Sequence, residues 1–270
     1  MKPVTIITGG AGGMGLATAK ILGADHTVLL ADVDQQRLDN ALAELHALNI
    51  SADSAVCDIT DRASIDGLFK QAAKLGRLAS VIHTAGLSPQ MADAETIMRV
   101  NALGTIYLAD AVLNIASEGV ALVNVASMAG HMMPTALMPT RAYRHALSNP
   151  EKFLHKALFP TRLMPKDFYK KGLAYGISKN FVMWYTRKRA ADFGVKGARI
   201  VSVSPGSFDT AMGRLEEQSG SAEMLKTAAL KRFGKPEEIA NVLAFCASDK
   251  AGYLTGVDIL CDGGVVAGRS

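Results

Sequence analysis

Val4-Thr5-Ile6-Ile7-Thr8-Gly9-Gly10-Ala11-Gly12-Gly13-Met14-Gly15-Leu16 opens the chain with a β-branched run that empties into five glycines within seven residues. A run of this kind, bounded by a glycine turn, reads as a strand buried on both faces. The missing side chains let the backbone of the turn come close to a ligand. The helix that follows from Leu16 aims its free N–H groups and the positive end of its dipole at the same place, a setting for a pyrophosphate. Two registers fit, Gly10-x-Gly12-x-x-Gly15 and Thr8-Gly9-x-x-x-Gly13-x-Gly15. A P-loop does not fit, because no Lys-Ser/Thr pair closes the run.

Outward from this unit the same alternation continues. Strands are predicted at Val4–Thr8, Thr27–Ala31, Ser54–Cys57, Ala79–Thr84, Val120–Ala126, Arg199–Ser204 and Val257–Leu260, with helices at about 13–23, 34–48, 61–75, 91–116, 175–193 and 236–247. Strand followed by helix, repeated, predicts an α/β fold: one doubly wound Rossmann-type domain over 1–270 with a seven-stranded parallel sheet. Right-handed crossovers then put the ligand crevice along the C-terminal strand ends. Asp32, twenty residues after Gly12 at the end of the second strand, can accept hydrogen bonds from both adenosine ribose hydroxyls and repel a 2′-phosphate. No Lys or Arg stands inside the glycine loop or directly after Asp32, Arg37 being the nearest. NAD is therefore expected ahead of NADP. The other use for Asp32, a helix N-cap, can be filled by Asp34.

The 270-residue chain is 49% hydrophobic and 20% charged, which suits a soluble globular protein. It has no apolar run of about 18 residues, the length a membrane helix needs. The N-terminus leads straight into the first strand without a signal-peptide pattern, so a cytoplasmic location and no membrane partner are expected. Cys57, Cys246 and Cys261 are expected to be reduced and structural, since their spacing fits neither a disulfide framework nor a metal site. The formal charge of +4 is uneven: residues 128–174 hold eight Lys or Arg against Glu151 and Asp167, and the remainder is −2. A locally basic segment on a slightly acidic body is not a nucleic-acid-binding face.

Tyr175-Gly-Ile-Ser-Lys179 sets a phenol and an ammonium at i and i+4 on one helix face. A free phenol has a pKa near 10, so proton transfer near neutrality requires bringing it down by roughly 3, about 4 kcal/mol. An adjacent ammonium and a positive nicotinamide ring both favour the phenolate. A lone Tyr-x-x-x-Lys pair usually marks a solvated helix face. This one gains meaning beside Ser127, just past the fifth strand at the same sheet edge.

Taken in order, several motifs resemble the short-chain dehydrogenase/reductase family along the whole chain. They are Thr8-Gly9-x-x-x-Gly13-x-Gly15, Asp58 after the third strand, Ala85-Gly86 after the fourth, Asn101, Ser127, Tyr175-x-x-x-Lys179, Pro205-Gly206 and the closing Gly256-Val-Asp-Ile-Leu-Cys-Asp-Gly-Gly264. The resemblance implies an NAD-dependent oxidoreductase acting on CH–OH groups of a small-molecule substrate, without a metal. Tyr175 would be the general acid/base, and Lys179 would favour its ionised form and bind the nicotinamide ribose. Ser127 would hydrogen-bond the substrate oxygen, and Asn101 would hold a water linking Lys179 to solvent. Thr8, Gly9, Gly13, Met14, Gly15 and Asp32 would meet the cofactor first, with Asp58 and Ile59 bordering the adenine. Ala85 and Gly86 would approach the ribose, and Pro205-Gly206 with Thr210 would flank the nicotinamide carboxamide. The chain departs from the family at His83-Thr84, where Asn-Asn is usual; His83 reads as a strand residue, not a base. A homodimer or homotetramer is implied, through the helices at 91–116 and 175–193 or through the C-terminal strand. The competing reading is a catalytically inactive, NAD-sensing regulator of the same fold, a class that typically lacks the Tyr or the Lys.

One segment breaks the rhythm. Almost fifty residues separate Ala126 from Tyr175, where a strand-to-helix connection takes roughly 2–6. Residues 128–174 hold five of the nine prolines and five of the twelve methionines. Their apolar members (Met132, Met133, Leu137, Met138, Phe153, Leu154, Leu158, Phe159, Leu163, Met164) alternate with the basic ones, predicting two short helices at roughly 140–147 and 150–159 with proline-marked ends. Most are expected to pack the insertion onto the body. Because it begins beside Ser127 and ends at Tyr175, the insertion is also expected to serve as a lid over a bulky apolar substrate of steroid, terpenoid or aromatic type. Its position resembles that of the extra helices in bacterial 3α-hydroxysteroid dehydrogenase/carbonyl reductases.

Overall fold

The computed structural model describes residues 2–133, 138–216 and 224–269. The apolar runs form β1 (Val4–Thr8), β2 (Thr27–Asp32), β3 (Ala52–Val56), β4 (Leu78–His83), β5 (Ala121–Val125), β6 (Arg199–Pro205) and β7 (Asp258–Cys261). They pair in parallel in the order β3-β2-β1-β4-β5-β6-β7. The chain steps outward from β1 to β2 and β3, then returns to place β4 on the other side. The loops after β1 and β4 therefore diverge, and a crevice opens between them at the C-terminal strand ends.

The described helices are α1 (Gly13–Leu22), α2 (Gln35–Ala47), α3 (Arg62–Leu75), α4 (Ala94–Met98), α5 (Gly104–Ile115), α6 (Thr140–Tyr143), α7 (Pro150–Ala157), α8 (Phe159–Arg162), α9 (Asp167–Val195), α10 (Ala211–Glu216) and α11 (Pro236–Ala247). Neighbouring strand residues point to opposite faces, and the five central strands β1, β2, β4, β5 and β6 each feed two cores. Ile6, Leu29, Val81, Leu122 and Ile200 pack with α3, α5 and α9. Ile7, Leu30, Ile82, Val123 and Val201 pack with α1, α2 and α11. This double burial is why the strands read as continuous apolar runs and not as alternation.

Two helices differ from the sequence expectation. The one expected over 91–116 starts at Ala94, because the Asp93 carboxylate accepts the Thr96 N–H at 2.8 Å and caps it there. It is also interrupted by a π-helical turn at Arg99–Leu103. The helix expected from Tyr175 starts two turns earlier, at Asp167, directly after Lys166, with Asp167 and Lys171 paired across its first turn. Eight residues assigned to the insertion are thus part of the helix that carries Tyr175 and Lys179.

The insertion helices lie close to their expected positions. Thr140–Tyr143 is α-helical and runs into a 3-10 turn at Arg144–Leu147. Asn149 caps α7 by accepting the Lys152 N–H at 2.9 Å, with Pro150 in the first turn. Pro134 and Leu137 lie outside the described residues. Tyr143 and Phe153 are fully buried against α9, where Phe153 stacks on Phe181 at 4.2 Å and Tyr143 meets Phe181 and Trp184 edge-on or tilted. Arg99 pairs with Glu151 and ties α7 to the π-turn. Phe159 and Leu163 stay exposed. The insertion therefore shares the core of the domain on this side of the sheet. Replacing Phe153 by Ala is expected to cost about 3–5 kcal/mol. Chemical denaturation should show one transition in which insertion and body unfold together.

Candidate active site

The glycine loop is built by close backbone contacts. Gly9 adopts φ +64°, and a Cβ there would lie 2.8 Å from Ala85 N, so this left-handed turn brings the loops after β1 and β4 together. At Gly15 a Cβ would lie 2.5 Å from Gly9 O. Gly12, extended, precedes α1 and supplies no side-chain cap, so the first N–H groups of α1 remain for a ligand. Gly13 faces Thr210: a Cβ would lie 2.9 Å from its Cγ2, which brings the segment after β6 onto the glycine loop. A cradle that any Cβ would fill, at an uncapped helix start, fits a dinucleotide pyrophosphate.

Around it stand the other residues named from sequence. Asp32 ends β2 half-buried, its Oδ1 accepting the Val33 N–H at 2.9 Å. Asp34 takes the N-cap of α2 by accepting Arg37 N at 3.1 Å, which leaves Asp32 out of that role. Asp58 is exposed and accepts both the N–H and the hydroxyl of Thr60. Ile59 is buried against Gly104. Gly206 N donates to Cys261 O, joining the Pro205-Gly206 turn to β7. Arg37, which the sequence marked only as the nearest base, reaches back so that Nη2 lies 3.3 Å from Ala11 O in the glycine loop.

The catalytic candidates converge at the end of β5. Lys179 is buried and its Nζ donates to Val125 O at 3.0 Å, 5.8 Å from the centre of the Tyr175 ring. Tyr175 is half-buried. A Cβ on Gly86 would lie 3.1 Å from Asn101 Oδ1 and 3.4 Å from Lys179 Nζ, so a side chain there would press on both. Asn101 sits in the π-turn, a helix defect that often marks functional positions. Its Oδ1 accepts Leu87 N at 2.7 Å, and its Nδ2 lies 2.9 Å from Leu87 O and 3.2 Å from Ser178 Oγ. The side chain thus binds the loop after β4 to α9. Ser127 follows β5 and its Oγ accepts the Ala129 N–H. The 3-10 turn Met128–Gly130 then lies along α9, with Ala129 O near Gly176 and Gly130 against Asn180.

His83 and Thr84, standing where the resemblance has Asn-Asn, tie β4 to β1. Thr84 Oγ1 donates to Thr8 O at 2.7 Å, linking β4 to β1. His83 lies between two threonine hydroxyls, Thr8 Oγ1 at 2.7 Å from Nδ1 and Thr105 Oγ1 at 3.1 Å from Nε2. The Thr105 proton goes to Asn101 O, so Nε2 must be the donor and Nδ1 the acceptor of the Thr8 proton. Burial, reinforced by the Lys179 charge, pushes the ring down to about 3, so it is neutral and not a base. Among the described residues, no group of His, Cys, Asp and Glu could hold a metal, and no helix is long and apolar enough to cross a membrane. The thiols of Cys57, Cys246 and Cys261 are free and raised by burial.

A family model described as short chain dehydrogenase matches residues 3–149, and one described as Enoyl-(Acyl carrier protein) reductase matches residues 164–266. Residues 150–163, which carry α7 and α8, fall between the two. The chain is 30% identical over 272 residues to the short-chain dehydrogenase/reductase bsc3 of Alternaria brassicicola, covering 99% of this chain and 97% of the relative. It is 31% identical over 276 residues to a (5R,7aS)-5-hydroxy-7a-methyl-1-oxo-2,3,5,6,7,7a-hexahydro-1H-indene-carboxyl-CoA reductase of Mycobacterium tuberculosis, covering 94% and 89%. The crystal structure of gox2181 superposes with a TM-score of 0.78 over 98% of this chain and 96% of that one, at 23% identity.

The buried His83 ring gives the fold an acid sensitivity. The folded ring stays neutral to about pH 3 while the unfolded ring takes up a proton below its ordinary 6.5. Its stabilising contribution is whole above pH 6.5 and is lost as the pH falls. In His83→Asn, the loss of unfolding free energy between pH 6.5 and 5 should be smaller than in the parent by about 2 kcal/mol. Denaturant titrations at the two pH values measure this difference.

Proposed function

The chain belongs to the short-chain dehydrogenase/reductase family, and on that premise we propose that it transfers a hydride between nicotinamide and the alcohol or ketone carbon of a bulky apolar substrate. The observation that carries the reading is the meeting of Lys179 and Asn101 beside Gly86, with the Tyr175 ring centre 5.8 Å from the Lys179 ammonium and Ser127 just after the strand whose last carbonyl Lys179 holds. A nicotinamide dinucleotide bound in that crevice supplies the hydride acceptor for oxidation or the donor for reduction. Tyr175 takes the hydroxyl proton when an alcohol is oxidised and returns one when a ketone is reduced. The neighbouring Lys179 ammonium stabilises the phenolate between those two events. Ser127 holds the substrate oxygen by a hydrogen bond, and Asn101 keeps the loop carrying Gly86 in register with α9.

The apolar character of the substrate is supported beside Ser127. Met128 is buried with Ala228 and Val265, and Met132, Met224 and Val266 pack around them. Methionines adapt their shape to varied apolar surfaces. This first stretch of the insertion is the part proposed to cover substrate, with α6 and α7 serving as its support. The M. tuberculosis relative named above acts on a methylated fused-ring CoA ester, which agrees with a large ring substrate here. Three free cysteines, two of them buried, support a cytoplasmic setting.

Two measurements test the reading. In Tyr175→Phe, turnover of a ketone or alcohol panel should fall at least about a hundredfold while NAD still binds, as expected for loss of a general acid/base; a variant that keeps more than about a tenth of the parent rate contradicts the assignment. Cofactor choice is a contest between Asp32, which repels a 2′-phosphate, and Arg37, which lies beside the loop and could pair with one. The parent should prefer NAD in kcat/KM, Asp32→Ala should narrow that preference, and adding Arg37→Ala should cancel the gain in NADP use. Equal use of both cofactors by the parent is the outcome against it.

A further inference from the structure

Tyr143 links the insertion to the turn after β5. Tyr143 is completely buried among Phe153, Phe181 and Trp184. Its hydroxyl lies 3.1 Å from Asn180 Oδ1 and 3.2 Å from Ile177 O. Both belong to α9, one in the turn between Tyr175 and Lys179 and the other directly after Lys179. Burial pushes the phenol up, so it keeps its proton and acts as a donor. Asn180 then donates from Nδ2 to Gly130 O at 2.9 Å, and Gly130 N donates to Ser127 O at 2.9 Å. A continuous chain of hydrogen bonds runs from the insertion core to the residue that would hold the substrate oxygen.

The direction of this chain is fixed at both ends. Gly130 O can only accept, so the NH2 end of the Asn180 amide must face it. The carbonyl end then faces the Tyr143 hydroxyl, which has a proton to give. Remove that hydroxyl and Oδ1 is left without this donor, so the Asn180 side chain shifts toward another and its hold on Gly130 O loosens. No slack absorbs such a change, because a Cβ on Gly130 would lie 2.8 Å from Asn180 N and 2.9 Å from Lys179 C. On its other side the turn is tethered by His131, whose Nε2 lies 2.8 Å from Asp258 Oδ2 on β7. Asp258 in turn accepts the Ser202 hydroxyl.

We propose that Tyr143 and Asn180 are positioning residues: through them the insertion sets the place of Ser127 relative to Tyr175, acting from behind α9 and without touching substrate. The proposal rests on the dehydrogenase reading for its kinetic readout alone. Tyr143→Phe removes one oxygen and keeps the ring. Its kcat should fall about tenfold, the scale of a small misplacement of a reacting group, while KM for NAD stays within about twofold. Phe153→Leu is the control: it loosens the same aromatic cluster but leaves the hydroxyl, and should lower Tm at least as much with kcat within about twofold of the parent. Tyr143→Phe combined with Asn180→Ala should be no slower than Asn180→Ala alone, since both break one chain.

A second readout does not need turnover. Amide hydrogen exchange of residues 127–132 should quicken about tenfold in Tyr143→Phe, with residues 4–8 unchanged. The proposal is overturned if Tyr143→Phe keeps both parent kcat and parent exchange, or if Phe153→Leu loses kcat as severely. If the parent binds NAD yet turns over no alcohol or ketone, the dehydrogenase reading fails and exchange alone decides: quickened exchange upholds the positioning role, unchanged exchange refutes it.

Discussion

The backbone of Gly130 rests on the backbone of α9 at Lys179 and Asn180, closer than any side chain would permit. That contact joins the C-terminal end of β5 to the middle of a 29-residue helix. It places Ser127, on the strand side, within the same small region as Tyr175 and Lys179, on the helix side. Each partner is rigid in its own right. β5 is paired on both sides in the sheet, and α9 is held by packing against the core and the insertion. The relative placing of Ser127, Tyr175 and Lys179 is thus carried by regular elements, with only a three-residue turn between them.

The same economy of space recurs wherever the loops of the crevice meet. Gly9 lies against Ala85, Gly13 against Thr210, and Gly86 against Asn101 and Lys179. Each contact brings together segments that arrive from different strands. Polar groups trapped by this crowding are satisfied by one another. Lys179, a buried ammonium, finds the last carbonyl of β5, and His83 finds two threonine hydroxyls. Burial keeps the His83 ring neutral, which spares the site a second buried cation beside Lys179.

The insertion changes what the helices on this face have to do. Its aromatic residues occupy the side of α9 that carries Phe181 and Trp184, and Glu151 reaches Arg99 in the π-turn that holds Asn101. Both helices bearing candidate catalytic side chains are therefore contacted by α6 and α7. The exposed basic residues of the segment take no part in this packing. On α6 and α7 the packed Tyr143 and Phe153 are buried while Arg141, Lys152 and Lys156 stay exposed, the two-faced pattern of a surface helix.

The strand runs, the glycine turn and the i, i+4 spacing of Tyr175 and Lys179 are local properties, decided by side-chain periodicity and by the absence of Cβ atoms over a few residues. That is why the sheet, the glycine turn and the placing of Tyr175 and Lys179 on one helix were legible from the chain alone, and why the short helices at Thr140–Tyr143 and Pro150–Ala157 were found near their proline markers. The early start of α9 was hidden because Gly172 and the lysines before Tyr175 blur the helical pattern, whereas in the fold the helix is extended by packing. The π-turn at Asn101 had no local signature. Thr8 and His83 are 75 residues apart, and Gly130 and Asn180 are 50 apart. A histidine's charge and an amide's orientation depend on what surrounds them, and those surroundings exist only once distant segments have packed; the tertiary structure alone decided them.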